Sequence, residues 1–317
     1  MTMLELSEVI HYGTIALTVG ISSLSVGIGE GMTSGAAIDA INQQPAARDD
    51  IAKAALLGMA LIETAAIMGT SIAIILLRSE PETIYGHIAE LGVMFAVCFS
   101  SFAIGLVSAL PTREACFSIA RQPFFSHKIS RFMLLTQSIL QTPIIFGFII
   151  AIMIKNQAAS IQTLEESLKL IAAGLCIGLG SIGPAIGLAR FAKTACRGIG
   201  INRESYNKLF SFMLVSEAII ETPIIFSLVI SLLILMTPLP AAALTKSIAL
   251  LAAGLCTGLG TLGPGISSGR TSAAACEQIA LNPELYLTLS KVSMFAQGLI
   301  DTAAIYALVI SIMLIWF

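Results

Sequence analysis

The chain has 317 residues, of which 56% are hydrophobic and only 11% charged, with a formal net charge of −2. Soluble domains carry about 25% charged residues, so this composition excludes an ordinary soluble protein and indicates an integral membrane protein. No long basic run suggests a nucleic-acid partner. No nucleotide-binding loop, Ser/His/Asp set or metal-ligand cluster stands out, so we expect no catalytic site, resident metal or cofactor in the chain itself.

One helical sequence pattern repeats four times along the chain. Each copy has a long apolar run with a polar residue at its centre and a short polar break 18 residues earlier, which is about 27 Å along a helix. The central residues, at intervals of 78, 80 and 80, are Glu63, Gln141, Glu221 and Asp301. The breaks lie at Pro45, Pro123, Arg203 and Pro283. The pattern predicts four tandem helical hairpins, over residues 1–80, 81–158, 159–238 and 239–317.

Each hairpin is predicted to cross the membrane twice, because about 20 apolar residues span the hydrocarbon core. The eight predicted transmembrane helices run over 9–41, 51–78, 86–120, 128–155, 166–200, 206–236, 245–280 and 285–316. The first run has no basic residues before it and no convincing cleavage site, so we expect a membrane span there rather than a signal peptide. The predicted fold is therefore all-α and integral to the membrane.

The basic residues predict the orientation of the hairpins. Of the 17 Lys and Arg residues, 13 lie near the polar breaks and four near the opposite helix ends. Because cytoplasmic loops carry an excess of basic residues, we expect the polar breaks in the cytoplasm and both termini on the other side.

Glycines divide the helices into two types. A stripe of small residues recurs in the first helix of each hairpin, whereas the central polar residue recurs in the second. The stripe is clearest at Gly178, Gly180, Gly183, Gly187, Gly258, Gly260, Gly263, Gly265 and Gly269, and weakest in the second hairpin, around Gly105. Small residues let helix backbones approach closely. The sequence thus predicts an inner layer of glycine-rich helices and an outer layer that carries the polar residues.

The central acids indicate function. A carboxylate at the middle of a membrane helix costs about 2.5–3.5 kcal/mol on insertion scales, and such residues usually serve ion or proton pathways. Glu63, Glu221 and Asp301 are therefore candidate ion-binding residues. Gln141 replaces the acid in the second hairpin and cannot carry a charge, so that hairpin is expected to carry no ion. A role for Gln141 as a hydrogen-bonding spacer is the alternative, and the two interpretations are compatible.

These features resemble the ring-forming c subunits, or proteolipids, of rotary ATP synthases. The resemblance rests on the glycine-rich helix, the polar loop of the type Arg121-Gln122-Pro123 and the second helix with its central acid. The loops Gln43-Gln44-Pro45 and Asn282-Pro283-Glu284 are similar to those of the F-type family rather than the vacuolar type. The resemblance covers nearly the whole chain, which looks like a fused version of four hairpins.

The resemblance implies that the chain forms part of a c-ring built with other copies of itself in the membrane lipid. Each central acid would bind an ion, carry it round and release it beside the stator subunit a, with ATP chemistry in partner subunits. The polar loops would contact the central stalk, formed by the gamma and epsilon subunits, through Gln44, Pro45, Arg121, Gln122, Pro123, Asn202, Arg203, Asn282 and Pro283. The asparagines among them are also typical turn formers. The expected location is the bacterial inner (plasma) membrane.

The choice between H⁺ and Na⁺ stays open in the sequence, with H⁺ favoured. Sodium-binding members pair the acid with the following hydroxyl residue, and here Thr64, Thr142, Thr222 and Thr302 follow the four central positions. They also use a polar residue of the first helix, which by the same register is Glu30, Ser108, Leu188 and Ser268. Leu188 has no side-chain oxygen, which favours protons. Glu30 would form a two-carboxylate site with Glu63, with coupled titration.

Two further residues have alternative interpretations. Glu217 lies one turn before Glu221, where either a structural hydrogen bond or a second member of a carboxylate pair fits. Tyr306, one turn after Asp301, fits packing better than donation to the acid.

Three other classes of protein are alternatives to a c-ring subunit. A secondary transporter usually has inverted repeats and broken helices, whereas these repeats share one orientation and only Pro143 and Pro223 are expected to interrupt a span. A vacuolar- or archaeal-type proteolipid pump and a degenerate structural ring component are the others.

Overall fold

The computed structural model describes residues 3–78, 81, 83–240 and 244–317. Its helices are α1 (Met3–Gln43), α2 (Arg48–Leu77), α3 (Ile84–Val107), α4 (Ala109–Arg121), α5 (Ser126–Ile139), α6 (Thr142–Ala158), α7 (Leu164–Ile201), α8 (Tyr206–Met236), α9 (Leu244–Gly260), α10 (Leu262–Leu281) and α11 (Tyr286–Trp316). The hairpins are α1–α2, α3–α6, α7–α8 and α9–α11. Over the described residues there are no strands, and eight helical segments are long and apolar enough to cross a membrane. The predicted all-α membrane fold is confirmed.

A short 3₁₀ turn connects the two arms of each hairpin. The turns are Pro45–Ala47, Pro123–Phe125, Arg203–Ser205 and Pro283–Leu285, and each begins at a predicted break. Proline opens three of them, because it lacks the N–H that a first helical position leaves unpaired. In the third turn the Asn202 side chain accepts a hydrogen bond from the Glu204 N–H at 3.0 Å instead. The sequence prediction of Asn202 as a turn former is confirmed.

Prolines explain why three arms are divided into two helices. A proline ring clashes with the carbonyl four residues earlier, and the helices α3, α5 and α9 end four residues before Pro111, Pro143 and Pro264, respectively. By contrast, α8 continues through Pro223. The sequence expectation is therefore right for Pro143 and wrong for Pro223, and it misses Pro111 and Pro264. The clash with the carbonyl four residues before a proline indicates where a helix can break, but the packing around each proline decides whether it does.

The first arms of successive hairpins pack side by side through their glycines. Helix α1 packs against α3, α3 and α4 against α7, and α7 against α9 and α10. A Cβ atom on Gly187 would overlap the carbonyl of Gly265, and one on Gly174 would overlap that of Gly92. The second arms α2, α8 and α11 lie outside this layer and pack back onto it. The predicted division into glycine-rich inner helices and outer helices is confirmed.

Hydrogen bonds between neighbouring hairpins join residues about one repeat apart. Ser22 Oγ lies 2.8 Å from Ser101 Oγ, and Ser100 Oγ lies 2.8 Å from Ser181 Oγ. At the polar turns, Gln122 donates to Gly200 O and Asn202 to Ala280 O, both at 3.0 Å. The hairpins therefore stand side by side in the same orientation, each shifted little along its neighbour.

Candidate ion-binding sites

The fourth hairpin has the most enclosed of the acidic sites. Asp301 of α11 is only 7% exposed, and Ser268 of α10 donates a hydrogen bond to its Oδ1 at 3.3 Å. The predicted support residue Ser268 thus contacts the acid. Tyr306, for which packing was expected, is 70% exposed on the same helix, so it packs little within the described part of the chain. Asp301 and Ser268 form a compact site within one hairpin.

The second hairpin shows that a site also receives a group from the preceding hairpin. Gln141 is buried, and the hydroxyl of Thr64 in the first hairpin donates to its Oε1 at 2.7 Å. On its own hairpin, Gln141 Nε2 is 3.5 Å from Ser108 Oγ and 3.4 Å from Gln137 O. The sequence pairs each threonine with the central residue directly before it, whereas Thr64 contacts the central residue of the next copy along the chain.

The third hairpin follows the same arrangement with fewer oxygens. Thr142 of the second hairpin lies beside Glu221. Leu188, fully buried at the first-helix position, supplies no oxygen, and Glu221 Oε1 has no hydrogen-bond partner. Thr222 and Thr302 donate to backbone oxygens of their own helices, those of Ala218 and Leu299.

The first hairpin lies at one edge of the chain. Glu63 is exposed there, and its carboxylate is close enough to Glu30 for the two to interact electrostatically. The two-carboxylate site suggested by the sequence stays a prediction. No hairpin precedes Glu63 in the described chain to supply a threonine. Thr302, the equivalent of Thr64, lies in the last hairpin, at the other end of the row.

One turn before the central residues lies a second polar column that the sequence only partly reveals. In the second hairpin, Gln137 accepts from Thr112 at 2.9 Å and donates to Gly58 O and Ser108 O, both at 3.1 Å. In the third, Glu217 is 1% exposed and neither carboxyl oxygen has a partner. The structural hydrogen bond suggested for Glu217 is therefore made by Gln137 and not by Glu217.

The polar turns carry the residues predicted to contact a stalk. Gln122 and Asn202 bond to the neighbouring hairpin, as described above, whereas Arg121 donates to Glu114 within its own helix region at 3.3 Å. Gln44 and Asn282 precede their turns without a side-chain capping bond. Pro45, Pro123, Arg203 and Pro283 open the turns.

The structure also assembles a cluster that the sequence did not reveal. His11 of α1 meets His87 and Glu90 of α3, on arms of two hairpins. Because the partners are separated by about one repeat, no local motif marks them. The available signal was that the equivalent positions of the later hairpins lack both histidine and glutamate.

The fold and the sites define a class: membrane proteolipids made of tandem helical hairpins with a central carboxyl. The family model of the ATP synthase C subunit matches residues 14–76, 171–234 and 251–314, together more than half of the chain. The chain belongs to this ATP synthase family, as a tandem fusion. This makes it an integral membrane protein and a membrane rotor component, and it excludes the secondary transporter. The second hairpin, with Gln141, lies between the matched ranges.

Three relatives are each similar to a part of the chain. An ATP synthase c subunit of Dehalococcoides mccartyi is 43% identical over 70 residues, which are 92% of that protein but 22% of this chain. The c subunit of Chloroflexus aurantiacus is 41% identical over 69 residues, 91% of its length and 22% of this chain. That of Thermotoga petrophila is 38% identical over 65 residues, 76% of its length and 20% of this chain.

Proposed function

We propose that Glu63, Glu221 and Asp301 each carry one ion as the ring turns, and that Gln141 passes the stator without one. The single observation that supports this most directly is the Asp301 site, where a nearly buried carboxyl has one hydroxyl partner at mid-helix. An amide in the equivalent place has no ionisable proton. The chain then moves three ions for every four hairpins.

Further copies of the chain complete the ring. Thr64 contacts the central residue of the following hairpin, so the register assigns Thr302 of one chain to Glu63 of the next. This supports a homo-oligomeric ring in which the site at each seam is shared by two chains. Native mass spectrometry of the purified ring tests this: a ring built only from copies of this chain has a mass equal to a whole multiple of the mass of one chain.

The transported ion is the proton. A sodium ion needs several oxygen ligands, as hard cations generally do. The Glu221 site combines Leu188 with an unpartnered carboxyl oxygen, which supports a site that holds a proton and not a metal cation. All sites of one rotor must use the same ion, so the poorest cation site decides the choice.

Sodium is the second candidate, and one observation favours it. Glu30 and Glu63 lie close enough to interact, and two carboxylates together suit a cation. By register, Thr222 and Thr302 are the hydroxyls equivalent to Thr64, and each donates to a backbone oxygen of its own helix.

The family supports a place for the chain in the complex. The chain itself is non-catalytic, and ATP chemistry belongs to partner subunits. Its outer helices would meet the stator subunit a, and its polar turns would meet the gamma and epsilon subunits of the central stalk. The distribution of basic residues supports cytoplasmic turns in a bacterial plasma membrane, with both termini outside.

Carbodiimide labelling tests the ion sites, because the reagent modifies a protonated carboxyl in an apolar setting. The purified protein in detergent is labelled across a pH series, with and without sodium, and mapped by mass spectrometry. We expect modification at Glu63, Glu221 and Asp301 that depends on pH and is unchanged by sodium. The Glu217→Gln variant is the matched control that assigns the label to Glu221.

The outcomes separate the alternatives. Suppression of labelling by sodium at a fixed pH would show that the ring transports sodium. Labelling that spreads over surface carboxylates, with none at the three central acids, would overturn the ion-carrier assignment.

A further inference from the structure

Two histidines and a glutamate come together at the helix ends opposite the polar turns. His11 of α1 and His87 and Glu90 of α3 each offer a ligand atom, and these atoms lie within 4.8 Å of one another. His11 Nδ1 is 2.7 Å from Glu90 Oε2. His11 is 4% exposed and Glu90 1% exposed. The cluster therefore lies inside the contact between the first and second hairpins.

The ring design does not explain this cluster. At the junction of the second and third hairpins, the equivalent residues are Ala89, Ser167 and Leu170. At the junction of the third and fourth, they are Lys169, Ser247 and Leu250. Helix packing at those two junctions needs no histidine or acid. Burying ionisable groups is costly unless they are paired or bind a metal. The contact between His11 and Glu90 supplies one such pairing, so it is the second histidine beside this pair that calls for a separate explanation.

We propose that His11, His87 and Glu90 bind a divalent transition-metal ion, with Zn²⁺ the best match. Two imidazoles and one carboxylate form a common zinc ligand set, with ligand distances of about 2.0–2.2 Å. Ligand atoms around a tetrahedral zinc ion lie about 3.4 Å apart. The atoms separated by up to 4.8 Å would therefore close slightly, and the His11–Glu90 pair at 2.7 Å would open slightly.

The surroundings of the cluster suit a metal site. The hydroxyl of Ser7 lies 2.7 Å from Nδ1 of His87, and a hydrogen bond to one ring nitrogen is the usual way to orient a metal-binding histidine. The rings of His11 and His87 meet edge to face, with centroids 5.2 Å apart. Lys155 also acts electrostatically on Glu90, so an incoming cation competes with one nearby ammonium group for the carboxylate.

The position of the site gives it a role that differs from ion transport. Its ligands come from α1 and α3, so a bound ion connects the first hairpin to the second directly. That second hairpin is the one without a central acid. The metal would hold this non-carrying hairpin against its neighbour at the end of the helices opposite the polar turns.

Cobalt and zinc binding test the proposal on the full chain in detergent, purified with a tag that contains no histidine and stripped with a chelator. We expect one Co²⁺ per chain, visible d–d absorption bands and displacement by one equivalent of Zn²⁺. We also expect Zn²⁺ to raise the melting temperature of the protein. The proposal would be overturned if no stoichiometric binding is found, or if the melting temperature is the same with zinc and with chelator. The cluster would then be only a hydrogen bond between His11 and Glu90.

Variants assign the binding to the cluster. His11→Ala and Glu90→Gln should each weaken zinc binding by at least about tenfold, because losing even a group that only hydrogen-bonds a ligand costs about 10–100-fold in metal affinity. His127→Ala removes the third histidine of the chain, which is exposed on α5, and should change nothing. If Glu90→Gln fails to fold, His87→Gln replaces it. Equal affinity in His11→Ala and wild type would rule out the site.

Discussion

The second and third hairpins differ in chemistry at the central position and at the position one turn before it. The second hairpin has an amide at both positions, and the third has a carboxyl at both. In the second hairpin, Gln137 makes three hydrogen bonds and Gln141 bonds to Thr64 of its neighbour. In the third, both oxygens of Glu217 and one of Glu221 have no partner. The two hairpins have the same fold, and the chain runs through them in the same register.

The difference follows from the chemistry of amides and acids. An amide has two donors and an acceptor that neighbouring backbone and hydroxyl groups can satisfy permanently. A carboxyl gains and loses a proton, so partners that satisfy one of its states do not satisfy the other. The second hairpin is thus bonded to its neighbour, while the third leaves carboxyl oxygens without partners, as the proposed exchange of an ion requires.

The strongest test converts the third hairpin into the second. Glu221→Gln would leave two successive hairpins without an acid. We expect ion-driven ATP synthesis by the whole complex in proteoliposomes to fall at least about tenfold, equivalent to about 1.4 kcal/mol in the barrier. Gln141→Asn, which keeps an amide in the second hairpin, should retain wild-type rates. Full activity of Glu221→Gln would show that the third hairpin carries no ion.

A second test addresses packing. Val107 occupies in the second hairpin the position that Gly187 occupies in the third, where a Cβ would overlap the carbonyl of Gly265. Gly187→Ala should destabilise the chain by about 1–3 kcal/mol, as overpacking does. Gly298→Ala, on α11 with open space around it, serves as the control. Unfolding in detergent with rising denaturant measures both, and equal midpoints would refute close packing at Gly187.

The smallest expected effect concerns the polar column one turn before the central residues, which contains Gln137 and Gln297. Gln137→Met removes three hydrogen bonds, and membrane hydrogen bonds average about 0.6 kcal/mol each, so we expect a loss of about 1–2 kcal/mol. Gln297→Met in the fourth hairpin removes one bond, to Ser293 at 3.0 Å, and should cost less. The same unfolding assay compares them. A larger loss for Gln297→Met would contradict the view that the second hairpin is the firmly bonded one.

Much of the fold could be predicted from periodicity. The 18-residue spacing between break and central residue located the turns, and the glycine stripe distinguished inner from outer helices. The central acids and the first-helix positions were found because the same register recurs in each copy, which is how Ser268 was matched to Asp301. The interrupting prolines were harder to predict, because Pro223 is accommodated in α8 while Pro111 and Pro264 accompany helix breaks.

Sequence alone determined the number of hairpins, their turns and the residues at mid-helix, because those depend on apolar length and on spacing within one helix pair. Only the tertiary structure decided which hairpin each side chain serves. Thr64 reaches Gln141 of the next copy, and His11 reaches Glu90 about one repeat away. The physical reason is that contacts between repeats depend on how the hairpins are placed side by side, and helical periodicity within a single repeat carries no record of that placement.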